Sequence, residues 1–197
     1  MGLYKMNLPN KLSILRLLLI PVFAVVFYVN FPYHYLAAAG VFAIAAFTDF
    51  LDGYIARKYN LITDLGKFLD SSADKVLVLT ALILLMDADL LTAGYIPSFI
   101  GGISVSIILA REILISCLRM ITAKKGIVIA ADKLGKIKTL LQDFAIIILM
   151  VAGHFASGTA KVVIWIIGFS CFGLSVIMTA VSGVHYIAVY GKKLESK

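Results

Sequence analysis

A chain of 197 residues that is 61% hydrophobic and only 15% charged is too apolar for an ordinary soluble domain, which is roughly 45 to 50% apolar. Its mean hydropathy of +1.00 excludes a soluble enzyme. The formal net charge is +7. On so apolar a chain this excess favours contact with the anionic face of a membrane over nucleic-acid binding.

Six stretches are long and apolar enough to cross a bilayer as helices, which needs about 20 residues each. In chain order they are 12–31, 34–57, 66–87, 97–122, 134–153 and 160–190. The connections between them are short, and no repeat or Pro-rich or Gly/Ser-rich linker divides the chain. The sequence therefore predicts one all-α integral membrane domain, residues 1–197, with six transmembrane helices.

Basic residues mark one side of the membrane, because Lys and Arg near helix ends favour the cytoplasm. Six crossings put both termini on that side. It would hold Lys5, Lys11, Arg16, Arg57, Lys58, Lys67, Arg119, Lys124, Lys125, Lys133, Lys136, Lys138, Lys192, Lys193 and Lys197. The opposite side would hold Lys161 alone. We therefore expect both termini to be cytoplasmic, in a protein of the plasma membrane.

Four aspartates lie below the predicted cytoplasmic surface, where ionised groups are costly and usually functional. Asp49 and Asp52 come late in the second predicted helix, and Asp70 and Asp74 come early in the third. Small residues share their helical faces, namely Gly53 and Ala56 on the second helix and Gly66 and Ala73 on the third. A short connection makes these helices antiparallel neighbours, so the two faces can converge.

Clustered carboxylates need a counter-charge if all are to stay ionised, and divalent cations supply it. Oxygen ligands with no Cys or His nearby suit Mg²⁺ or Mn²⁺ better than Zn²⁺. Four carboxylates could hold one ion or two, and a pair is usual in phosphoryl displacement. Simple ion pairs with Lys58, Lys67 and Lys75 are the alternative, which the matched faces disfavour.

The same residues fit, position by position, the motif D-x2-D-G-x2-A-R-x8-G-x3-D-x3-D of the CDP-alcohol phosphotransferases. They are Asp49, Asp52, Gly53, Ala56, Arg57, Gly66, Asp70 and Asp74. Three further segments resemble the branch of that family that makes phosphatidylglycerophosphate: NLPNKLSILR at 7–16, AREILISCLR at 110–119 and LGKIKT at 134–139. Ser71 departs from the proline of many relatives and leaves the motif aspartates unchanged.

The resemblance implies six helices around a polar cavity that is open to the cytoplasm, often in a homodimer. It implies transfer of the phosphatidyl group of CDP-diacylglycerol to glycerol 3-phosphate, with release of cytidine monophosphate. Asp49, Asp52, Asp70 and Asp74 would hold two Mg²⁺ or Mn²⁺ ions on the diphosphate, and Asp74 would also be the base for the acceptor hydroxyl. Asp52, Gly53, Ala56, Arg57, Gly66 and Asp70 would bind CDP-diacylglycerol.

Glycerol 3-phosphate as acceptor requires a second anion pocket, and a guanidinium binds phosphate with two hydrogen bonds. Arg111 and Arg119 lie about 80° apart on the fourth helix and can flank one cavity. Lys136 and Lys138 of the fifth helix could complete the pocket, although residues two apart do not share a helical face. Glu112 projects about 100° from Arg111 and could tether Arg119 or a lysine of the fifth helix.

Two rival functions stay open. The same reaction could use inositol phosphate, whereas the basic residues argue against serine, which carries no phosphate. A divalent-cation transporter could use the four aspartates as its ion site, but it would be expected to have polar groups along a path across the membrane. The outer halves of the predicted helices are nearly free of charge.

Polar residues also surround the start of the first helix: Asn7, Pro9, Asn10, Ser13 and Arg16. A surface-lying start with a snorkelling Arg16 explains them as well as contact with a phosphate or lipid headgroup does. Trp165 is expected in the interfacial belt or in contact with lipid.

Overall fold

The computed structural model describes residues 8–59, 64–124, 133–155 and 157–195. Six α-helices follow one another in these ranges: α1 Leu8–Tyr28, α2 His34–Lys58, α3 Asp64–Asp87, α4 Ser98–Lys124, α5 Lys133–His154 and α6 Thr159–Glu195. The same ranges contain no strand. The prediction of six helices in an all-α chain is confirmed, and each predicted stretch overlaps one helix.

Four of these helices contain a segment long and apolar enough to cross a membrane: Asn10–Tyr28, Ser98–Arg119, Gly135–His154 and Thr159–Tyr186. In α2 the apolar part found among the described residues is shorter, His34–Asp49. Every helix also exposes large apolar side chains, among them Leu18, Phe47, Ile83, Leu114, Phe144 and Val184. A surface this apolar suits lipid and not water. The chain is an all-α integral membrane protein.

The core lies where α1, α2, α3, α5 and α6 meet. Phe23 of α1 packs against Phe42 of α2 with ring centroids 5.9 Å apart. Leu85 of α3, Ile146 of α5 and Phe172 of α6 belong to the same buried cluster. The helix α4 packs on α3 and α6 at the side of this core.

Successive helices run in opposite directions, so one end of the bundle collects the N-terminal ends of α1, α3 and α5 with the C-terminal ends of α2, α4 and α6. The motif aspartates, Arg119, Lys136 and Lys138 belong to the halves of the helices nearest this end, and Arg111 lies at the midpoint of α4. The opposite end carries the connections 29–33, 88–97 and 155–158. The fold therefore brings the predicted site residues to one end of the bundle.

Trp165 lies at that opposite end, and of its two predicted positions contact with lipid is wrong, while a position at the depth of the interfacial belt stays a prediction. Only 6% of its surface is exposed. Its Nε1 donates a hydrogen bond to the carbonyl oxygen of Leu91 at 3.3 Å, and its ring packs against Tyr95 with centroids 4.9 Å apart. The indole is buried because the connection between α3 and α4 folds over the start of α6 and satisfies its N–H.

Candidate active site

Two of the motif aspartates meet through an arginine of α1. The Arg16 Nη1 donates a hydrogen bond to Asp49 Oδ1 of α2 and lies 3.6 Å from Asp70 Oδ1 of α3. The Arg16 side chain is fully buried, whereas the side chains of Asp49 and Asp70 are 38% and 47% exposed. The guanidinium thus lies beneath the two carboxylates, which remain accessible from the end of the bundle.

The snorkelling position predicted for Arg16 is wrong, whereas contact of the N-terminal polar residues with a phosphate or headgroup stays a prediction. Arg16 is an internal counter-ion, and Asn10 and Ser13 are buried beside it on α1. The sequence contained a signal for this result, because Asn10, Ser13 and Arg16 recur every third residue and so share one side of a helix. Asn7 lies outside the described residues.

Asp74, on α3 one turn after Asp70, is within electrostatic range of both the aspartate pair and the basic side chains. The charged groups that act on it are Lys75, Glu112, Arg16 and Asp70. Lys138 of α5 also interacts electrostatically with Asp74. Lys75 is held back on its own helix, where its Nζ donates to the carbonyl oxygen and the hydroxyl of Ser71 at 2.8 and 2.7 Å.

The two arginines of α4 both contact Tyr186 of α6. The guanidinium carbon of Arg111 lies 5.8 Å, and that of Arg119 5.5 Å, from the centre of the Tyr186 ring. Arg111 also donates to Ser182 Oγ at 3.2 Å, and Arg119 donates to the Tyr186 hydroxyl at 3.1 Å. The two cations therefore lie on the same residue of α6, which also supplies the side chains that hold them, while the predicted acceptor cavity between them stays a prediction.

Two glycines leave space for the Arg111 side chain. A Cβ atom built on Gly183 of α6 would lie 3.1 Å from Arg111 Cγ, and one built on Gly135 of α5 would lie 4.0 Å from Arg111 Nη2. The Arg111 side chain thus lies against α5 and α6 at positions where those helices have no side chain.

The two lysines of α5 have different surroundings. Lys136 is exposed, whereas Lys138 is buried and its Nζ pairs with Glu112 of α4. Glu112 also accepts a hydrogen bond from Arg111 Nη1 at 3.1 Å. The expected tether from Glu112 to a lysine of α5 is confirmed. The expectation that Glu112 projects away from Arg111 is wrong, because the long arginine side chain bends back to it.

Sequence reasoning missed two polar residues of α5. Asp143 neighbours Asp74, Asp49 and Lys138, and its Oδ1 is buried with no hydrogen-bond partner among the described residues. Gln142 is 2% exposed, and within the same ranges its Nε2 has no partner. The missed signal was simple, since Asp143 is an acid in the middle of a transmembrane helix.

Comparison with known proteins gives a match over the helices that carry these residues. Residues 6–183 match the sequence profile of the CDP-alcohol phosphatidyltransferase family. The chain belongs to the CDP-alcohol phosphatidyltransferase family. The match covers α1 to α5 and most of α6. It therefore includes both the aspartates and the basic side chains around Tyr186.

Several bacterial relatives carry the name CDP-diacylglycerol–glycerol-3-phosphate 3-phosphatidyltransferase. The protein of Rickettsia bellii is 38% identical over 180 residues, which cover 91% of this chain and 93% of the relative. That of Bacillus subtilis is 43% identical over 152 residues, 71% of this chain and 74% of the relative. That of Salmonella paratyphi A is 34% identical over 186 residues, 92% and 93% of the two chains.

The family motif can now be placed on the fold. Asp49 and Gly53 lie in the last turns of α2, and Gly66, Asp70 and Asp74 lie in the first turns of α3. The backbone of Asp52, Ala56 and Arg57 belongs to α2, but their side chains lie outside the description. Of the six residues predicted to bind CDP-diacylglycerol, the structure therefore describes Gly53, Gly66 and Asp70 in full.

The donor chemistry of this site fits a hard divalent cation. Its side chains offer carboxylate oxygens only, and Asp70 Oδ1 is buried without a hydrogen bond from any described residue. The described side chains include no group of three or more His, Cys, Asp or Glu at metal-binding spacing. Asp52, the fourth predicted ligand, has its side chain outside that description.

Proposed function

We propose that this protein transfers the phosphatidyl group of CDP-diacylglycerol to glycerol 3-phosphate and releases cytidine monophosphate. One observation carries the proposal: Asp74 lies within electrostatic range of both the Arg16–Asp70 pair and the Glu112–Lys138 pair. An acid that can take a proton therefore lies beside a group of cations suited to a phosphate. The names of the relatives support the choice of donor and acceptor.

In this mechanism the cations of α4 and α5 orient the acceptor. Arg111 and Arg119 bind its phosphate across the Tyr186 ring, with Lys138 and Lys136 at the edge of the pocket. Asp74 accepts the proton of the 1-hydroxyl, whose oxygen then forms a bond to the lipid-proximal phosphorus. The bond from that phosphorus to the oxygen of cytidine monophosphate breaks, and the nucleotide leaves with the electron pair. Phosphoryl transfer of this kind depends mainly on positioning and charge neutralisation.

Asp49, Asp52, Asp70 and Asp74 would hold Mg²⁺ or Mn²⁺, as two ions. When bound, these ions would neutralise charge on the diphosphate and on the departing nucleotide. Gly53, Ala56, Arg57 and Gly66, with Asp52 and Asp70, would form the pocket for the cytidine diphosphate group. Small residues there let a ligand approach the helix backbone closely.

The site would face the cytoplasm, with both termini on the same side of the plasma membrane. The excess of basic residues at the aspartate end supports this orientation. The homodimer implied by the family stays a prediction, as does the limit of the single domain at residues 1–197.

The test is release of cytidine monophosphate from CDP-diacylglycerol by the purified protein in detergent with Mg²⁺ or Mn²⁺. Glycerol 3-phosphate, inositol phosphate and serine are offered in parallel. We expect release with glycerol 3-phosphate alone and its loss on chelation. Release with another acceptor would keep the aspartate site and overturn the acceptor assignment. No release with any acceptor would overturn the reaction and return the divalent-cation transporter to consideration.

A further inference from the structure

Arg16 is the residue of this site whose role neither the family motif nor the proposed chemistry explains. Its guanidinium is fully buried and contacts two motif aspartates on two different helices. It also neighbours Asp74. The Arg16 guanidinium is thus held close to carboxylates that would bind metal. It must therefore affect how a divalent metal ion binds to those carboxylates.

We propose that Arg16 is a positioning residue that acts as a fixed counter-charge, holding Asp49 and Asp70 together beneath the site so that a divalent cation shares these carboxylates with the guanidinium. The inference rests on the metal site of the proposed function. Two partly exposed carboxylates on adjacent helices repel each other, and the buried guanidinium offsets that repulsion from below. Both side chains are partly exposed, and a carboxylate offers about four lone-pair sites, so one carboxylate can serve the guanidinium and a metal ion together.

A purely structural ion pair and a counter-charge differ in one measurable way. Removing a structural ion pair lowers stability by the same amount whether or not metal is added. Removing a counter-charge leaves Asp49 and Asp70 to repel each other. A bound divalent cation then offsets that repulsion, because a ligand stabilises the form that binds it. Added metal should therefore stabilise the variant more than it stabilises the wild type.

The experiment measures the melting temperature of the full-length protein in detergent, by fluorescence of the single Trp165, with EDTA or with Mn²⁺. We expect Arg16→Met to lower the melting temperature in EDTA by roughly 5 to 10 °C and Mn²⁺ to restore most of that loss. The Mn²⁺-induced rise should therefore be larger in Arg16→Met than in the wild type. Lys11→Met is the matched control, since it removes an exposed cation from the same helix and should match the wild type in both conditions.

A Mn²⁺-induced rise that is the same in Arg16→Met and in the wild type would overturn the inference and leave the metal site intact. If Arg16→Met does not fold, Arg16→Lys is measured instead. Its ammonium keeps the charge, but the shorter side chain ends short of the position of the Arg16 Nη1 atom that contacts both aspartates. Its Mn²⁺-induced rise should therefore also exceed that of the wild type, and an equal rise would overturn the inference. Failure of the proposed metal site looks different, because the wild type itself would then show no rise with Mn²⁺ and bind none by electron paramagnetic resonance; that result would overturn both proposals.

Discussion

Asp74 occupies the position from which one side chain can serve both substrates. The cations of Lys75 and Arg16 and the acidic groups of Glu112 and Asp70 all act electrostatically on it. Its carboxylate therefore relates the motif aspartates to the Glu112–Lys138 pair.

Asp74→Asn should lower the turnover of CDP-diacylglycerol by about a thousandfold, because a general base contributes roughly 10²- to 10⁴-fold. The amide has nearly the same shape, so the fold and the melting temperature should be retained. Release of cytidine monophosphate measures the effect. Asp87→Asn, at the opposite end of the same helix, is the control and should keep full activity. Robust turnover by Asp74→Asn would show that another group takes the proton.

Arg119 tests the acceptor pocket with little risk to the fold, because its side chain is exposed and held by Tyr186. Arg119→Ala should raise the KM for glycerol 3-phosphate roughly 10- to 100-fold, the loss expected for a hydrogen bond to a charged group. The KM for CDP-diacylglycerol should not change. Lys161→Ala removes a cation at the opposite end of the bundle and should leave both constants alone. An unchanged acceptor KM in Arg119→Ala would contradict the pocket.

Helix positions were predictable from the sequence, whereas helix partners were not. Long apolar stretches fix where a membrane helix begins and ends, so all six helices were found. The pairing of Arg16 with Asp49, and of Arg111 with Ser182, depends on which helices become neighbours and how each is rotated. The two residues of the first pair are 33 positions apart in the chain, and those of the second pair are 71 apart. A local sequence pattern cannot predict contacts at such separations.

The same limit explains which site residues were missed. Ser182 and Tyr186 of α6 carry no charge and belong to no motif. Only the structure shows that they accept hydrogen bonds from Arg111 and Arg119. Asp143 carried a clear signal as an intramembrane acid, but its position next to Asp74 and Asp49 depends on how α5 packs between α2 and α3.

The contact of α4 with α5 depends on the pair Glu112–Lys138, in which the two side chains are 17% and 4% exposed. Glu112→Gln would leave the Lys138 ammonium buried without its carboxylate, at a cost of about 3 kcal/mol. The melting temperature should fall by roughly 5 to 10 °C. Asp87→Asn removes the exposed hydrogen bond from Tyr28 and should lower it much less. A similar small change in Glu112→Gln would show that water replaces the ion pair.

The contact of α4 with α6 can be tested at Gly183, where an added Cβ would lie 3.1 Å from Arg111 Cγ. The branched side chain in Gly183→Val should displace Arg111 and raise the KM for glycerol 3-phosphate roughly tenfold, since a misplacement of about 1 Å can cost more than that. Gly173→Val is the matched control, because no atom lies within 4 Å of a Cβ at that position of the same helix. Equal acceptor KM values in the two variants would place Arg111 outside the acceptor pocket.

At the scale of the whole molecule, the two ends of the bundle have different chemistry. One end holds Arg16, the aspartates and the cations around Tyr186. The other holds apolar and aromatic contacts such as Tyr33 with His154 and Tyr95 with Trp165. The proposed reaction requires the aspartate end to face the same side of the membrane in every molecule. Its soluble phosphate acceptor must enter, and its soluble nucleotide product must leave, on that side.

Single cysteines can establish that orientation in a parent protein whose Cys117 and Cys171 have been replaced by Ala. Ser157→Cys, in the exposed connection between α5 and α6, should react with a membrane-impermeant maleimide on intact cells. Lys11→Cys, exposed near the start of α1, should react only after permeabilisation, because basic helix ends favour the cytoplasm. Cytidine monophosphate release confirms that each variant is folded. The reverse labelling pattern would put the aspartates on the outer face, away from the cytoplasmic nucleotide pool, and would contradict the proposed use of a cytidine-linked donor from the cytoplasmic side.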